Sequence, residues 1–222
     1  MSVNVNADIL VISEGLADKA FLTKLIAHWL PAYSVAFPYP TNAVGGVTSF
    51  TIMLEGLRAA RVDFKRVKGV LLIADSGDDP ANALAAVAST VKAAGHYPVP
   101  EALDTVAAAA NDHPATAITT IPSTTATGGL ETLYNEYFKK IHPQGTSEVN
   151  SFLNSPTFDV GNWNAEKQGK ANFASFVAAT NRDDPSRAAS YAFKDPALID
   201  EKNDIFKPLA DKLRVLFDAL TT

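Results

Sequence analysis

The chain has 222 residues, 47% of them hydrophobic and 19% charged, which is enough apolar material for a sizeable core and excludes global disorder. Its net charge of −5, from 19 basic and 24 acidic residues, argues against a surface covered in positive potential and against stand-alone, high-affinity nucleic-acid binding, but leaves room for a local basic patch. With no cysteine, it has no disulfides, thiolate metal sites or cysteine nucleophiles, and it suits a cytoplasmic location.

No uncharged apolar run of about 20 residues is present, so neither a transmembrane helix nor a membrane partner is expected. Met1 to Asp8 is polar without a basic start and does not read as a signal peptide. Ile9 to Ile12 is an apolar run of strand length, of the kind buried on both faces of a parallel sheet. It leads into Ser13 and Glu14, then Gly15 and a helical pattern from Asp18 to Leu30 that Pro31 stops. Such a strand delivers Glu14 to the carboxyl edge of the sheet, where α/β proteins place their sites. The plainer reading makes Glu14 and Asp18 solvated loop and helix-start acids.

Ser34 to Phe37 is expected as a short second strand, Asn42 to Gly46 as a turn, and Thr48 to Ala60 as a helix with Phe50, Met53, Leu54 and Leu57 inward. Arg58, Arg61, Lys65, Arg66 and Lys68 form the densest basic cluster. It reads by default as a solvated helix end and loop; the alternative is a patch that receives phosphates. Gly69 to Ala74 is the second buried strand, and it too ends in an acid, Asp75. Asp79 and Pro80 suit the N-cap and first position of a helix that Gly95 closes. Pro98 to Pro114 is ambiguous, with Ala102 to Ala110 a helix or a covering loop.

Ala115 to Ile121 is a further strand, followed by a Ser/Thr/Gly loop and an amphipathic helix from Leu130 to Ile141 with Glu131 in its first turn. Beyond His142 the chain reads as loop-rich to Gly161, with a short helix around Glu148 to Leu153. A helix follows from Ala165 to Ala179, burying Phe173, Phe176 and Val177. Another closes the chain from Asp204 to Leu220, with Phe206, Leu209, Leu213, Val215, Leu216 and Phe217 as its apolar residues. The expected organisation is an α/β unit over residues 1–142, a mainly parallel sheet flanked by helices, with residues 143–222 as a helical addition packed on the same domain.

Parallel strands with right-handed crossovers put Glu14 and Asp75 on one sheet edge, and Glu131 follows the next strand. Carboxylates gathered there repel, by about 4 kcal/mol per ionised pair at about 4 Å and an effective dielectric near 20. A divalent cation relieves that repulsion, and oxygen-only donors favour Mg²⁺ or Mn²⁺ over zinc. His28, His96, His113 and His142 lack zinc-ligand spacing and read as ordinary histidines. There is no Walker A loop, no G-x-G-x-x-G after a strand and no G-x-S-x-G elbow.

The apolar strand with Glu14-Gly15-x-x-Asp18, then Leu72-Ile73-Ala74-Asp75-Ser76-Gly77-Asp78, then Ile121-Pro122 with Gly128-Gly129-Leu130-Glu131, resembles the Toprim (topoisomerase–primase) domain. More narrowly, it resembles small uncharacterised Toprim-like proteins of bacteria and archaea related to OLD-family nucleases. The likeness covers most of Ile9 to Tyr137 and extends to the helix bearing Lys167 and Lys170. It implies a Toprim-like fold with Glu14 as a general acid/base or metal-site residue and Asp75 as a Mg²⁺ ligand. Glu131 matches a second metal position, and Lys170 or Lys167 a transition-state lysine. The family's second motif is Asp-x-Asp; here Gly77 stands in the second position, with Asp78 and Asp79 as possible substitutes.

The null assignments are that Asp78 and Asp79 cap the next helix, that the helix dipole alone favours Glu131, and that Glu166 and Lys170 are a surface pair. Two functions are expected from this reading. One is Mg²⁺- or Mn²⁺-dependent phosphoryl transfer, hydrolysing nucleic-acid phosphodiesters. The other is a non-catalytic module binding a nucleotide or a partner protein. The sequence sets no oligomeric state.

Overall fold

Two continuous apolar runs and one segment that mixes apolar residues with threonine become the three central strands: β1 (Ile9–Ser13), β3 (Gly69–Asp75) and β5 (Ala115–Ile121). The structure, a computed structural model, describes residues 6–38, 46–59, 66–110, 112–157, 163–181, 192, 195 and 198–222. Two-residue strands β2 (Val35–Ala36) and β4 (Val106–Ala107) flank the central three in the order β2-β1-β3-β5-β4. All pairs are parallel except β4 with β5. Along β1 and β3 the register pairs Ile9 with Gly69 and Ser13 with Ile73, so the two strands end together at one edge.

Side chains alternate between two faces, as a pleated strand requires. On one face Ile9, Val11, Leu71, Ile73 and Ala117 pack with helices α1 (Leu16–Trp29), α4 (Leu130–Ile141), α6 (Ala165–Thr180) and α7 (Lys207–Thr221). On the other, Leu10, Ile12, Val70, Leu72 and Ile118 pack with α2 (Thr48–Ala59) and α3 (Pro80–Ala94). Among the described residues, those beyond 142 build no separate core. Phe173, Phe176, Phe206, Leu213 and Phe217 join the same cluster as Phe21 and Tyr134. At the amino edge, α7 comes so close to β3 that a Cβ on Gly69 would lie 2.6 Å from Leu220 Cβ.

The helix ends follow the expected capping chemistry. Asp79 accepts the Ala81 N–H at 2.8 Å, and Gly95 closes α3 in the left-handed region at φ 80°. Four details differ from the sequence reading. The region before Pro114 is loop plus β4, not helix, because two residues pair antiparallel with Thr116 and Ala117. A full helix, α5 (Pro143–Leu153), replaces the short one; none of its residues is buried, so it has no apolar stripe to announce it. The closing segment begins as a 3-10 turn (Asp204–Phe206) before α7, and Val215 is 69% exposed, off the Leu213–Leu216–Leu220 stripe. His96 and His113, far apart in sequence, stack with ring centroids 5.4 Å apart. Residues 42–45 of the expected turn, with Ala60, Arg61 and Lys65, lie outside the described residues. No helix among the described residues is long and apolar enough to cross a membrane.

Candidate active site at the carboxyl edge of the sheet

From β1 the chain moves outward to β2, then crosses to β3 and on to β5. Strand order therefore reverses between β1 and β3. The helix after β1 covers one face and the helix after β3 the other. The loops after β1 and β3 part at this point, the position at which open α/β sheets place their ligands. Glu14 follows β1 and Asp75 ends β3, so the two acids meet at this edge. The Asp75 N–H donates to Glu14 Oε1 at 3.2 Å, so the side chain of one is fixed by the backbone of the other.

Helix α4 meets the same point. The Leu130 N–H, in its first turn, donates to Asp75 Oδ1 at 3.2 Å. A Cβ on Gly129 would lie 2.6 Å from the Asp75 carboxyl carbon, so a glycine is what lets the helix N-terminus reach the carboxylate. The loops behind it are knit by paired bonds: the Gly77 N–H donates to the Gly128 carbonyl at 2.8 Å, and the Gly128 N–H to the Gly77 carbonyl at 2.6 Å. Both glycines have positive φ, 58° and 115°.

A third carboxyl belongs to the cluster. Asp18 accepts the Gly15 N–H at 2.8 Å from the first turn of α1. Burial pushes its pKa up to about 7, against that hydrogen bond and with help from the charges of Glu14 and Glu131. Glu14 rises to about 7, first through burial and then through the Asp75 charge, against the hydrogen bond from Asp75. Asp75 also rises to about 7, through burial and then the charges of Asp18 and Glu131. Burial and mutual repulsion raise three carboxyls at one sheet edge well above the usual carboxylate range, the electrostatic signature of this molecule. Among the described residues no group of three or more His, Asp or Glu is drawn together closely enough to hold a metal ion.

Helix α6 brings the lysine. Lys170 pairs with Glu166 one turn earlier, and the bond is short. Burial lowers its pKa, but the Glu166 hydrogen bond and the charges of Glu166, Glu131 and Asp75 outweigh that and raise it. The helix is pinned twice. Asn164 Nδ2 donates to Asp78 Oδ2 at 2.8 Å, and Asn135 Nδ2 donates to the Gly169 carbonyl at 2.8 Å.

Of the residues singled out by sequence, Glu14, Asp75, Glu131 and Lys170 share one electrostatic neighbourhood. Asp78 is taken by Asn164, and Asp79 caps α3. Lys167 is exposed in the first turn of α6, where its N–H donates to Asn164 Oδ1. The sequence reading treated Asp18 as a helix-start acid and Glu166 as a surface partner; both act electrostatically on this edge. Asp18 had a signal, an acid three residues past the turn glycine. Asn164 and Gly129 had none, because only the fold returns α6 and α4 to the strand ends.

Residues 8–218 match the family described as "Protein of unknown function (DUF3226)". No curated protein and no solved structure matches the chain.

Proposed function

The chain belongs to the DUF3226 family, and from its own geometry we propose that it carries out Mg²⁺- or Mn²⁺-dependent phosphoryl transfer, hydrolysing nucleic-acid phosphodiesters on a Toprim-like fold. The observation that carries this reading is the convergence of Glu14, Asp18 and Asp75, each with a pKa near 7, where strand order reverses.

The donor chemistry fits a hard divalent cation: every group is an oxygen acid, and burial together with mutual repulsion is what a cation relieves. Asp75 and Glu14 would hold it, with Asp78 and Glu131 as further oxygen donors on adjoining elements. When bound, it supplies Lewis-acid polarisation of a phosphoryl oxygen. Where Asp75 holds the cation, Glu14 is the carboxyl left to take or return a proton beside it. Lys170 is the cation on the same edge, placed to offset negative charge developing on a phosphoryl group, with Lys167 one turn nearer the helix start.

One observation favours the alternative, a non-catalytic module that binds a nucleotide or a partner protein. Gly77 occupies the place of a second metal-binding aspartate, and the acids after it are engaged elsewhere, Asp78 by Asn164 and Asp79 at the α3 cap.

Cleavage of single- and double-stranded DNA and RNA, in Mn²⁺ at low salt, separates the two readings. Wild type should cleave at least one of these. Glu14→Gln and Lys170→Ala should each lower the rate by about 10²-fold or more, with folding unchanged by circular dichroism. Failure of the wild type to cleave any of them, or full activity in both variants, overturns the hydrolysis reading and leaves the binding module.

A further inference from the structure

Beside the acid edge stands a large aromatic ring in water. Trp163 is 41% exposed, and among the described residues it stacks on no other ring. It immediately precedes Asn164, whose side chain is fixed at both ends: Oδ1 accepts the Lys167 N–H at 2.9 Å and Nδ2 donates to Asp78 Oδ2 at 2.8 Å. Asp78 lies three residues past Asp75. Trp163 is therefore one Cα–Cα step of about 3.8 Å from a residue tied to the loop that follows β3. Leu16, 68% exposed, begins α1 two residues past Glu14.

We propose that Trp163 is a stacking platform that positions a nucleobase of a single-stranded nucleic acid beside the acid edge. This rests on the phosphodiester reading above and narrows its substrate to strands with unpaired bases. Three observations support it together. An exposed indole leaves apolar surface in water, which a base plane removes from water. The helix that follows, α6, carries Lys167 and Lys170, so cationic groups for the backbone phosphates stand within two turns of the ring along the chain. The start of α6 is tied at Asn164 to Asp78 and at Gly169 to Asn135, which anchors the backbone that carries the ring near the end of β3. Sequence-tolerant stacking also suits a chain of net negative charge, because a base face contributes affinity where broad positive potential is lacking.

The chain has two tryptophans, and the other, Trp29, donates its indole N–H to the Glu201 carbonyl at 3.0 Å. Intrinsic emission therefore reports on Trp163 by difference. The probes are ten-nucleotide oligo-dA and oligo-dT, single-stranded and as the annealed duplex. They are titrated at low salt with EDTA present, so that no cleavage occurs. Saturable quenching by the single strands is expected, with little by the duplex and none in Trp163→Phe, where only Trp29 emits. Anisotropy of end-labelled oligonucleotide should show affinity falling about 5- to 150-fold in Trp163→Ala and largely kept in Trp163→Phe.

Single strands that bind without quenching, equal affinity in Trp163→Ala, or no binding at all would each overturn the stacking role. The hydrolysis reading is judged separately, by cleavage in Mn²⁺. Quenching without cleavage keeps the platform and ends the hydrolysis reading. Cleavage without quenching does the reverse.

Discussion

The two ends of the β1–β3 pair are built on opposite principles. At the amino edge, contacts are satisfied. Arg66 Nε lies 3.6 Å from Asp8, Lys68 donates to the Thr221 carbonyl at 3.3 Å, and Leu220 fills the space over Gly69. At the carboxyl edge, three carboxyls are held in surroundings that push each pKa to about 7. The same two strands that secure the fold at one end hold charges that repel at the other. Natural sequences break their own consistency at functional sites and compensate elsewhere, and here the two are separated by the length of a strand.

The largest expected effect uses the glycine at each end. Each lacks room for a methyl, but the obstruction differs. At Gly69 the neighbour is Leu220, with Cβ at 2.6 Å and Cδ2 at 2.9 Å, in the packed core. At Gly129 it is the Asp75 carboxylate, at 2.6 to 2.7 Å, which can swing aside. Gly69→Ala should destabilise by about 1–3 kcal/mol and leave activity per folded molecule intact. Gly129→Ala should melt near wild type but lose about 10²-fold in cleavage rate, because the carboxylate leaves its position and its bond to Leu130. Rates and melting temperatures of both variants check this. If Gly129→Ala cleaves like wild type, the fixed position of Asp75 has no functional meaning.

Next in size is the dependence of stability on pH. A carboxyl whose pKa is higher folded than unfolded binds more protons in the folded state between the two values. Its contribution to stability is then greatest below about pH 4 and is lost as pH rises through about 7. The melting temperature should therefore rise as pH falls from 8.5 to about 5.5. Asp75→Asn and Glu14→Gln, which keep an accepting oxygen but carry no charge, should each stabilise the protein at pH 8 by roughly 1–2 kcal/mol. At this size that corresponds to about 2–4 °C per kcal/mol. Both should flatten the pH profile. A wild-type melting temperature that does not change from pH 8.5 to 5.5 would contradict the cluster. Adding Mn²⁺ at pH 7.5 should raise the wild-type melting temperature and leave Asp75→Asn unmoved.

Much of this contrast was legible before the fold was known, and the reason is physical. Strands buried on both faces write themselves as unbroken apolar runs, so β1 and β3, with the acids that follow or end them, could be read directly, and β5 from its alternation of apolar residues with threonine. Capping chemistry fixed the ends of α3. What stayed hidden depends on partners far along the chain. β4 exists because two residues find β5, not because of their own pattern. α5 has no fully buried residue, and only Val149 packs on the core, so it leaves little periodic trace. Asp18 left a trace in local spacing, three residues past Gly15, but its burial did not, and the membership of Glu166 follows only from the return of α6 to the edge.

The smallest expected effect concerns the basic cluster, whose reading as a phosphate patch competes with its reading as a solvated surface. Its described members, Arg58, Arg66 and Lys68, are each engaged. Arg58 Nη1 donates to His96 Nε2 at 2.6 Å, Arg66 is held by Asp8 and Asn6, and Lys68 by the Thr221 carbonyl. Arg66 and Lys68 also stand at the amino edge, a strand length from Asp75. Exposed pairs of this kind contribute about 0.2–1 kcal/mol, so Arg66→Ala and Lys68→Ala should each shift stability by less than about 1 kcal/mol. Neither should alter oligonucleotide affinity or its salt dependence. Lys167→Ala, on the helix beside the acid edge, should weaken binding across all sequences and reduce the slope of log affinity against log salt by about one. If the amino-edge variants reduce the slope and Lys167→Ala does not, phosphates are received at the edge opposite the carboxyls, and the contrast between the two ends must be redrawn with the basic end as the binding surface.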